Sequence, residues 1–101
     1  MKRKDEIRVI IKQPGSPAFE DMIPNELGAF QDIVSGWIEK DTVGKGIAVI
    51  SNEEGRLMDM EHNCTVCDIE FVGTIIIAGE KGDHFVDCPL TLEEFSEITS
   101  V

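Results

Sequence analysis

The hydrophobic positions at the start of the chain occur at every second residue, a pattern typical of β-strands. Ile7, Val9 and Ile11 follow this spacing, which predicts a strand over residues 6–13 with one apolar face. Proline and glycine residues then end the strand, because proline has no backbone N–H to donate and glycine accepts turn geometry. A second, shorter strand over residues 18–23 is expected to pair back on the first.

The next segment changes to a helical period. Pro24 and Asn25 begin it, with Asn25 as the predicted N-cap. Apolar residues recur at spacings that place them on one helical face: Leu27, Phe30, Ile33 and Val34. Gly28 weakens the first turn by about 1 kcal/mol relative to alanine, so the helix depends on docking against a sheet. Ser35 and Gly36 are expected to end it, with Gly36 as the left-handed residue.

Two strands joined by a hairpin turn are predicted after this helix. Residues 37–43 and 47–52 form the strands, and the Gly-Lys-Gly sequence at residues 44–46 forms the turn. The Glu-Glu-Gly sequence at residues 53–55 predicts a second tight turn, after which residues 56–58 are expected to start back as a strand.

Residues 59–68 have no clean period and are expected to form a loop. Residues 69–79 are the most apolar segment of the chain and predict one continuous strand. Within this segment residues 74–78 are apolar on both faces, which indicates a central strand covered on two sides.

The last part of the chain predicts an edge strand and a helix. A turn at residues 81–82 leads into the strand over residues 84–88. Thr91, followed three residues later by Glu94, predicts a capping box and a helix of roughly two turns. Its inner face comprises Leu92, Phe95 and Ile98.

These elements predict one α+β domain over residues 1–101, with a mostly antiparallel sheet and two short helices. Their order is β-β-α-β-β-β-β-α, to which residues 56–58 would add one short strand.

Charge is the strongest global feature of the sequence. The chain has 9 basic and 20 acidic residues, a net charge of -11, and residues 13–101 hold four of the basic and 18 of the acidic ones. Such a surface repels nucleic acid and anionic membranes, so direct binding to either is not expected. It suits a basic partner or imitation of a polyanion, although acidity also keeps a small protein soluble. No apolar run approaches the roughly 20 residues that span a bilayer, and the N-terminus does not read as a signal peptide, so a cytoplasmic location is expected.

The cysteines match the spacing of a zinc site that the predicted geometry disfavours. Cys64 and Cys67 form a CxxC pair, and His84 and Cys88 follow further along the chain. If the apolar segment after Cys67 is one strand, that residue lies about 26 Å from the position opposite Cys88, at about 3.3 Å per residue. Zinc ligands must lie within about 4 Å of one another. One alternative is a partial site of His62, Cys64 and Cys67 that a second subunit completes. The favoured interpretation is that the cysteines are reduced thiols packed in the core of a loop. No metal or cofactor is expected.

Catalytic motifs are absent from the sequence. It contains no dinucleotide fingerprint, no phosphate-binding loop of the Walker type and no HExxH zinc motif. Neither of its two histidines belongs to a recognisable catalytic constellation. We therefore expect a protein that is not an enzyme.

The turn after the second hairpin strand is the best candidate for ligand binding. It comprises Asn52, Gly55 and Arg56 with the glutamates between them, and backbone N–H groups beside an arginine can hold an anion. The alternative is a plain turn in which Arg56 pairs with a glutamate. Trp37, the single tryptophan, is interpreted as a core residue in preference to a stacking platform.

Four segments carry a family resemblance: IRVIIKQPG, DIVSGWIE, ISNEEGRL and FVGTIIIAG. Together they resemble the Domain of Unknown Function 3846 family, short proteins of phages, plasmids and conjugative elements. Ser35 stands where a second glycine is expected before Gly36. The resemblance extends over about residues 6–95 and implies a mobile-element origin, but no activity and no functional residue. The positions that its pattern is expected to fix are Asn52, Gly55, Asn63 and Gly73.

The first functional hypothesis is a binding protein of a phage or mobile element that sequesters a small molecule, for example a nucleotide-type immune signal. The ligand would occupy a pocket across the interface of a homo-oligomer, lined by Asn52, Gly55, Arg56, Asn63 and Trp37. A phosphorylated ligand would require basic groups to converge on this pocket: Arg8, Lys12, Lys45 and Arg56.

The second hypothesis is an acidic interaction protein that occupies the basic surface of a host protein, in the manner of a DNA mimic. It rests on the acidity of residues 13–101, and salt should weaken the contact by screening.

Overall fold

The computed structural model describes residues 5–101 and contains nine strands and two helices in that range. In chain order the elements are β1 (Glu6–Lys12), β2 (Phe19–Pro24), α1 (Leu27–Val34), β3 (Ile38–Gly44), β4 (Ile47–Asn52), β5 (His62–Val66), β6 (Ile69–Val72), β7 (Ile75–Lys81), β8 (His84–Val86), α2 (Leu92–Glu97) and β9 (Thr99–Ser100). The predicted α+β class is confirmed.

Two antiparallel sheets organise the molecule. The larger has the strand order β2-β1-β7-β4-β3, with β8 paired to β7, and the smaller has the order β6-β5-β9. Helix α1 packs on one face of the larger sheet through Phe30 and Val34. The smaller sheet and α2 cover the other face through Val66, Phe71 and Phe95. No helix within residues 5–101 has the length and apolar composition that crossing a bilayer requires.

Strand β7 lies in the middle of the larger sheet and contributes to both cores. Ile76 and Ala78 pack toward α1, whereas Ile75 and Ile77 pack toward the smaller sheet. All four are fully buried, and burial stabilises the fold by about 1.5–3 kcal/mol for each isoleucine. The prediction of a central strand covered on both faces is confirmed.

The predicted loop over residues 59–68 and the predicted continuous strand over residues 69–79 are both wrong. The loop contains β5, which pairs with β6 in a hairpin. Cys67 and Asp68 form its turn with positive φ angles of 47° and 71°, the backbone of a turn that glycine or asparagine usually occupies. The apolar segment then breaks at Gly73, whose φ is also 71°, so β6 and β7 belong to different sheets.

Several predicted element ends also differ from the structure. The N-cap of α1 is Glu26, which makes no side-chain cap bond, while the Asn25 amide donates to the carbonyl oxygen of Phe85. The left-handed residue after α1 is Ser35, with φ 65°, and not Gly36. Residues 56–58 form turns, not a strand. The capping box of Thr91 and Glu94 is confirmed.

The last hairpin differs from its prediction in register, by two residues, and in the end of its second strand. His84 lies opposite Lys81, and β8 ends at Val86. The chain then crosses toward β1, where the Cys88 N–H donates to the Arg8 carbonyl oxygen. A glycine at position 79 permits this crossing, because a Cβ atom there would lie 2.2 Å from the Asp87 carbonyl oxygen.

A buried polar cluster joins the two sheets. The Lys12 ammonium at the end of β1 donates to Asn63 Oδ1 of β5 at 3.1 Å and to the Ser16 carbonyl oxygen at 3.1 Å. The Asn63 amide in turn donates to the carbonyl oxygens of Lys12 at 2.8 Å and Gly73 at 2.7 Å. Lys12 is 6% exposed and Asn63 is fully buried. Each partner therefore satisfies polar groups that water cannot reach.

Substituting Asn63→Ala is expected to lower the free energy of unfolding by at least about 3 kcal/mol, because a buried ammonium and two buried carbonyl groups each lose a partner. Urea denaturation measures the loss. Adding Lys12→Met should make the double variant less costly than the sum of the two single changes.

The matched control for this prediction is Asn25→Ala, which removes one exposed hydrogen bond and should cost about 1 kcal/mol or less. Equal losses for Asn63→Ala and Asn25→Ala would contradict a structural role for the cluster.

Candidate functional site

An open groove of about 470 Å³ lies between the edge strands β3 and β6. Its walls come from these two strands, its floor from the end of β4, and one end from residues 53–57. We call it the acidic groove because four of its lining residues are carboxylates: Glu39, Asp41, Glu53 and Glu70. It exists because β6 is separated from β7 and laid over the larger sheet.

Strand alternation places two of these carboxylates on the same face of β3. Glu39 lies opposite Ser51, and Asp41 lies opposite Val49, a core residue on the side of the smaller sheet. Successive side chains of a strand point to opposite faces, so Glu39 and Asp41 both face the groove. Within residues 5–101, Glu39, Asp41 and Glu53 form no ion pair.

The fourth carboxylate is occupied by basic neighbours. Glu70 Oε2 lies 2.9 Å from His62 Nδ1, and Glu70 Oε1 lies 3.6 Å from an Arg56 guanidinium nitrogen. Arg56 also donates to the Glu70 carbonyl oxygen at 2.9 Å. These pairs are exposed, so each stabilises the fold by about 1 kcal/mol at most. As a result, the Arg56 side chain is held against the groove wall by Glu70.

The floor of the groove contains a free hydroxyl group. Ser51 is 6% exposed and lines the groove, and its side chain has no hydrogen-bond partner in the part of the chain that the structure describes. No fully enclosed polar side-chain atom in that part lacks a partner. The Ser51 hydroxyl must therefore be open to the groove, where a ligand can bond to it.

Asn52 holds the end of the groove in place and does not extend into it as a free ligand-binding group. Its Oδ1 accepts from the Glu54 N–H at 2.8 Å, and its Nδ2 donates to the carbonyl oxygens of Val34 at 3.1 Å and Ser35 at 3.2 Å. These bonds satisfy carbonyl groups at the end of α1. Asn52 thus fixes the turn after β4 and the end of α1 together.

Gly55 is buried within the same turn. A Cβ atom at this position would lie 3.0 Å from Val72 of β6. Its contribution is close packing of the turn against β6, which sets the width of the groove at this end.

The structure brings together only part of the predicted pocket of Asn52, Gly55, Arg56, Asn63 and Trp37. Asn52 and Arg56 line the acidic groove, but Asn63 and Trp37 do not. Asn63 belongs to the buried cluster with Lys12, and Trp37 is 65% exposed beside the end of α1. The core interpretation of Trp37 is therefore wrong.

The basic residues required by a phosphorylated ligand do not converge. Arg8 pairs with Glu20 at 2.6 Å between β1 and β2, and Lys12 is buried under Asn63. Lys45 lies in the exposed turn between β3 and β4. Of the predicted set, Arg56 alone lines the groove.

The cysteines are separated by their burial. Cys64 and Cys88 pack in the core between the two sheets, whereas Cys67 is exposed at the hairpin turn. Since Cys64 is fully buried, the suggested partial site of His62, Cys64 and Cys67 cannot reach a second subunit. No three metal-ligating side chains within residues 5–101 converge. The distance argument from one continuous strand was wrong, because the chain turns at residue 73.

Sequence reasoning missed Glu39, Asp41, Ser51 and Glu70. The alternation along β3 could have indicated that Glu39 and Asp41 share one face. Because the chain contains 20 acidic residues, that pattern alone does not single them out. Only the strand register and the position of β6 distinguish these four from the other polar residues of the chain.

Comparison with known families identifies the chain. The family model described as Domain of unknown function (DUF3846) matches residues 7–99, and the chain belongs to this family. Comparison with the curated proteins and with the solved structures finds no match.

One thiol per chain is expected to react rapidly with a reagent such as dithiobis(nitrobenzoic acid) in the folded protein. Burial raises the pKa of the Cys64 and Cys88 thiols, so both thiolate population and access are low there. Cys67→Ser should remove the fast phase, and unfolding in urea should expose the other two thiols. Two or more fast thiols in the folded protein would contradict this assignment.

Gly36→Ala is expected to destabilise the protein by about 2 kcal/mol, because a Cβ atom there would lie 2.6 Å from Asn52 Nδ2 and overpacking typically costs 1–3 kcal/mol. Gly28→Ala is the matched control. Nothing lies within 4 Å of a Cβ atom at that helical position, so this change should stabilise the protein by about 0.5–1 kcal/mol. Urea denaturation measures both, and a Gly36→Ala variant as stable as the wild type would disprove the role of Asn52 at the helix end.

Proposed function

We propose that this protein is a non-catalytic interaction module that binds a basic segment of a partner protein in the acidic groove. The observation that carries the proposal is the combination of three carboxylates that are unpaired within residues 5–101, Glu39, Asp41 and Glu53, with the Ser51 hydroxyl, which has no partner in that range. A guanidinium or ammonium group bears several donors and a positive charge, which match acceptors of this kind. The net charge of -11 would also steer a basic partner toward the surface.

A partner segment with long aliphatic stems also suits the apolar residues at the groove. Leu57 is 85% exposed and Ile69 is 36% exposed, and both line the groove. Lysine and arginine pack their methylene groups on such surfaces while the charged end reaches acidic groups. The combination favours a basic peptide over a small inorganic cation.

A nucleotide-type ligand stays a prediction, and the charge of the groove weighs against it. Arg56 is paired with Glu70, and the three free carboxylates would repel phosphate groups. Origin in a phage or mobile element, a counter-defence role, a cytoplasmic location and a homo-oligomeric state are further parts of the functional hypothesis.

Absence of catalysis is likewise part of the proposal. His62 is bonded to Glu70 and His84 lies 3.3 Å from Asp83, both on the exposed surface. Within residues 5–101 neither histidine is hydrogen-bonded to a cysteine or serine, which supports a binding role.

Binding of a fluorescein-labelled hexa-arginine peptide, followed by fluorescence anisotropy, tests the proposal. The triple change Glu39→Gln, Asp41→Asn and Glu53→Gln should weaken binding at least tenfold, because three contacts of about 0.5 kcal/mol or more together reach the 1.4 kcal/mol that a tenfold change represents. Raising the salt concentration from about 0.05 M to about 0.5 M should also weaken binding to the wild-type protein, because the screening length falls strongly over this range.

The matched control replaces three exposed carboxylates away from the groove: Asp32→Asn, Glu61→Gln and Glu97→Gln. It alters the net charge by the same amount, so its affinity should stay within about twofold of wild type if the contact is local. Equal losses in the two triple variants would mean that binding is diffuse and would refute the groove as the site.

A further inference from the structure

The outer edge of β3 is open for pairing with another strand. In the part of the chain that the structure describes, β3 pairs only with β4 and ends the larger sheet. Resting on the proposed function, we propose that an extended segment of the basic partner protein adds to β3 as an antiparallel strand, with lysine or arginine at alternate positions entering the acidic groove.

The pairing pattern shows which backbone groups of β3 are free. The Glu53 N–H donates to the Trp37 carbonyl oxygen at 2.8 Å, and the register Ile38↔Asn52 puts these two residues opposite each other. Residues 37, 39 and 41 therefore form the hydrogen-bonded pairs with β4, since such pairs alternate along an antiparallel ladder. The N–H and carbonyl groups of residues 38, 40 and 42 point outward.

The side chains of β3 dictate the chemistry of the added strand. Residues opposite Glu39 and Asp41 would share their face of the sheet, and in antiparallel pairing they would form non-hydrogen-bonded pairs with Cα atoms about 4.5 Å apart. Opposite charges at such positions stabilise strand pairing. On the other face, Lys40 and Thr42 are both bonded to Glu80, so Lys40 does not neutralise the groove.

Ser51 supplies an observation that is independent of the acidic residues. It lies opposite Glu39 on β4, one strand inside the edge. The residue is 6% exposed, and its hydroxyl has no partner within residues 5–101 and opens to the groove. A basic side chain beside Glu39 would bring a donor toward this hydroxyl.

Other edges near the groove and at the far side of the sheet are partly covered by the protein's own side chains. Arg56 donates to the Glu70 carbonyl oxygen of β6, and the Asp21 carboxylate accepts from the Met22 N–H of β2. Within β3 no comparable side-chain bond to the backbone occurs, which distinguishes this edge.

A second copy of the same chain is a poor occupant of β3. Antiparallel pairing of two β3 strands about a two-fold axis at Lys40 would place Glu39 of each copy opposite Asp41 of the other. Like charges directly across a strand pair are destabilising. A basic strand is the complementary occupant.

Three peptides of equal charge test strand addition by anisotropy. The parent is a labelled Thr-Arg-Thr-Arg-Thr-Arg-Thr peptide with blocked ends, and two derivatives carry three backbone N-methyl groups, on threonines or on arginines. With arginines facing the groove, the threonines donate to β3 and the arginine N–H groups point away. Threonine methylation should weaken binding at least tenfold, and arginine methylation should change it by less than about threefold.

The protein side of the contact is tested with Lys40→Pro, which removes one outward N–H and is tolerated at a strand edge. Lys40→Thr is its control, because it also removes the side-chain contact with Glu80 but keeps the N–H. Only Lys40→Pro should weaken binding of the parent peptide, by about fivefold or more. Circular dichroism checks that both variants are folded.

The outcomes separate this inference from the proposed function. Equal affinities of the two methylated peptides overturn strand addition, and the groove proposal then still stands if the triple variant loses hexa-arginine binding. If the triple variant binds hexa-arginine as tightly as the wild-type protein does, both the groove proposal and strand addition are overturned. A concentration-dependent dimer in analytical ultracentrifugation that Lys40→Pro dissociates would assign the edge to a second copy and refute a basic partner strand.

Discussion

The position of the smaller sheet depends on one buried ammonium group. Lys12 Nζ lies near the oxygen atoms of Gln13, Ser16 and Asn63, none of which belongs to a carboxylate. Because a buried charge without full hydrogen bonding is costly, these oxygens can occupy only a narrow range of positions. Asn63 uses its own amide protons on Lys12 and on Gly73. The end of β1, the start of β5 and the connection between β6 and β7 are thereby fixed relative to one another. The same bonds fix the groove that β6 forms with β3.

Local patterns in the sequence predicted those elements whose causes are local. The alternation of β1 and the two apolar faces of β7 depend on neighbouring residues, as does the capping box at Thr91 and Glu94. The break at Gly73 has a different cause, since the Gly73 N–H donates to the Glu61 carbonyl oxygen at 2.8 Å. That contact arises only after the β5–β6 hairpin has formed. Sequence alone shows an unbroken apolar run at this point, and the Cys67–Asp68 turn lacks the asparagine or glycine that would have marked the hairpin.

The candidate site was predictable only in part, for a related reason. Asn52 and Arg56 stood out because they flank a turn, and both do line the groove. Their roles differ from the binding role that the turn suggested, because the Asn52 side chain is bonded to backbone groups and Arg56 is paired with Glu70. Glu39 and Asp41 are ordinary exposed carboxylates until β6 is placed beside them. They become candidate binding residues because the tertiary structure forms a groove beside them. No pattern of residue spacing along the chain predicts that groove.

The acidity of the groove and the open edge of β3 are related, because the acidic side chains influence which strands can pair with that edge. An uncovered edge strand invites pairing with any extended chain, and charged side chains are a common means of preventing it. Glu39 and Asp41 oppose pairing between copies of this chain, because each copy presents the same sign. Under the proposed strand addition, the same charges would lower the free energy of pairing with a strand that alternates basic residues, so one pair of carboxylates would both exclude a like-charged partner and select a basic one. An acidic protein can thus leave an edge strand exposed without aggregating through it, provided that its intended partner is basic.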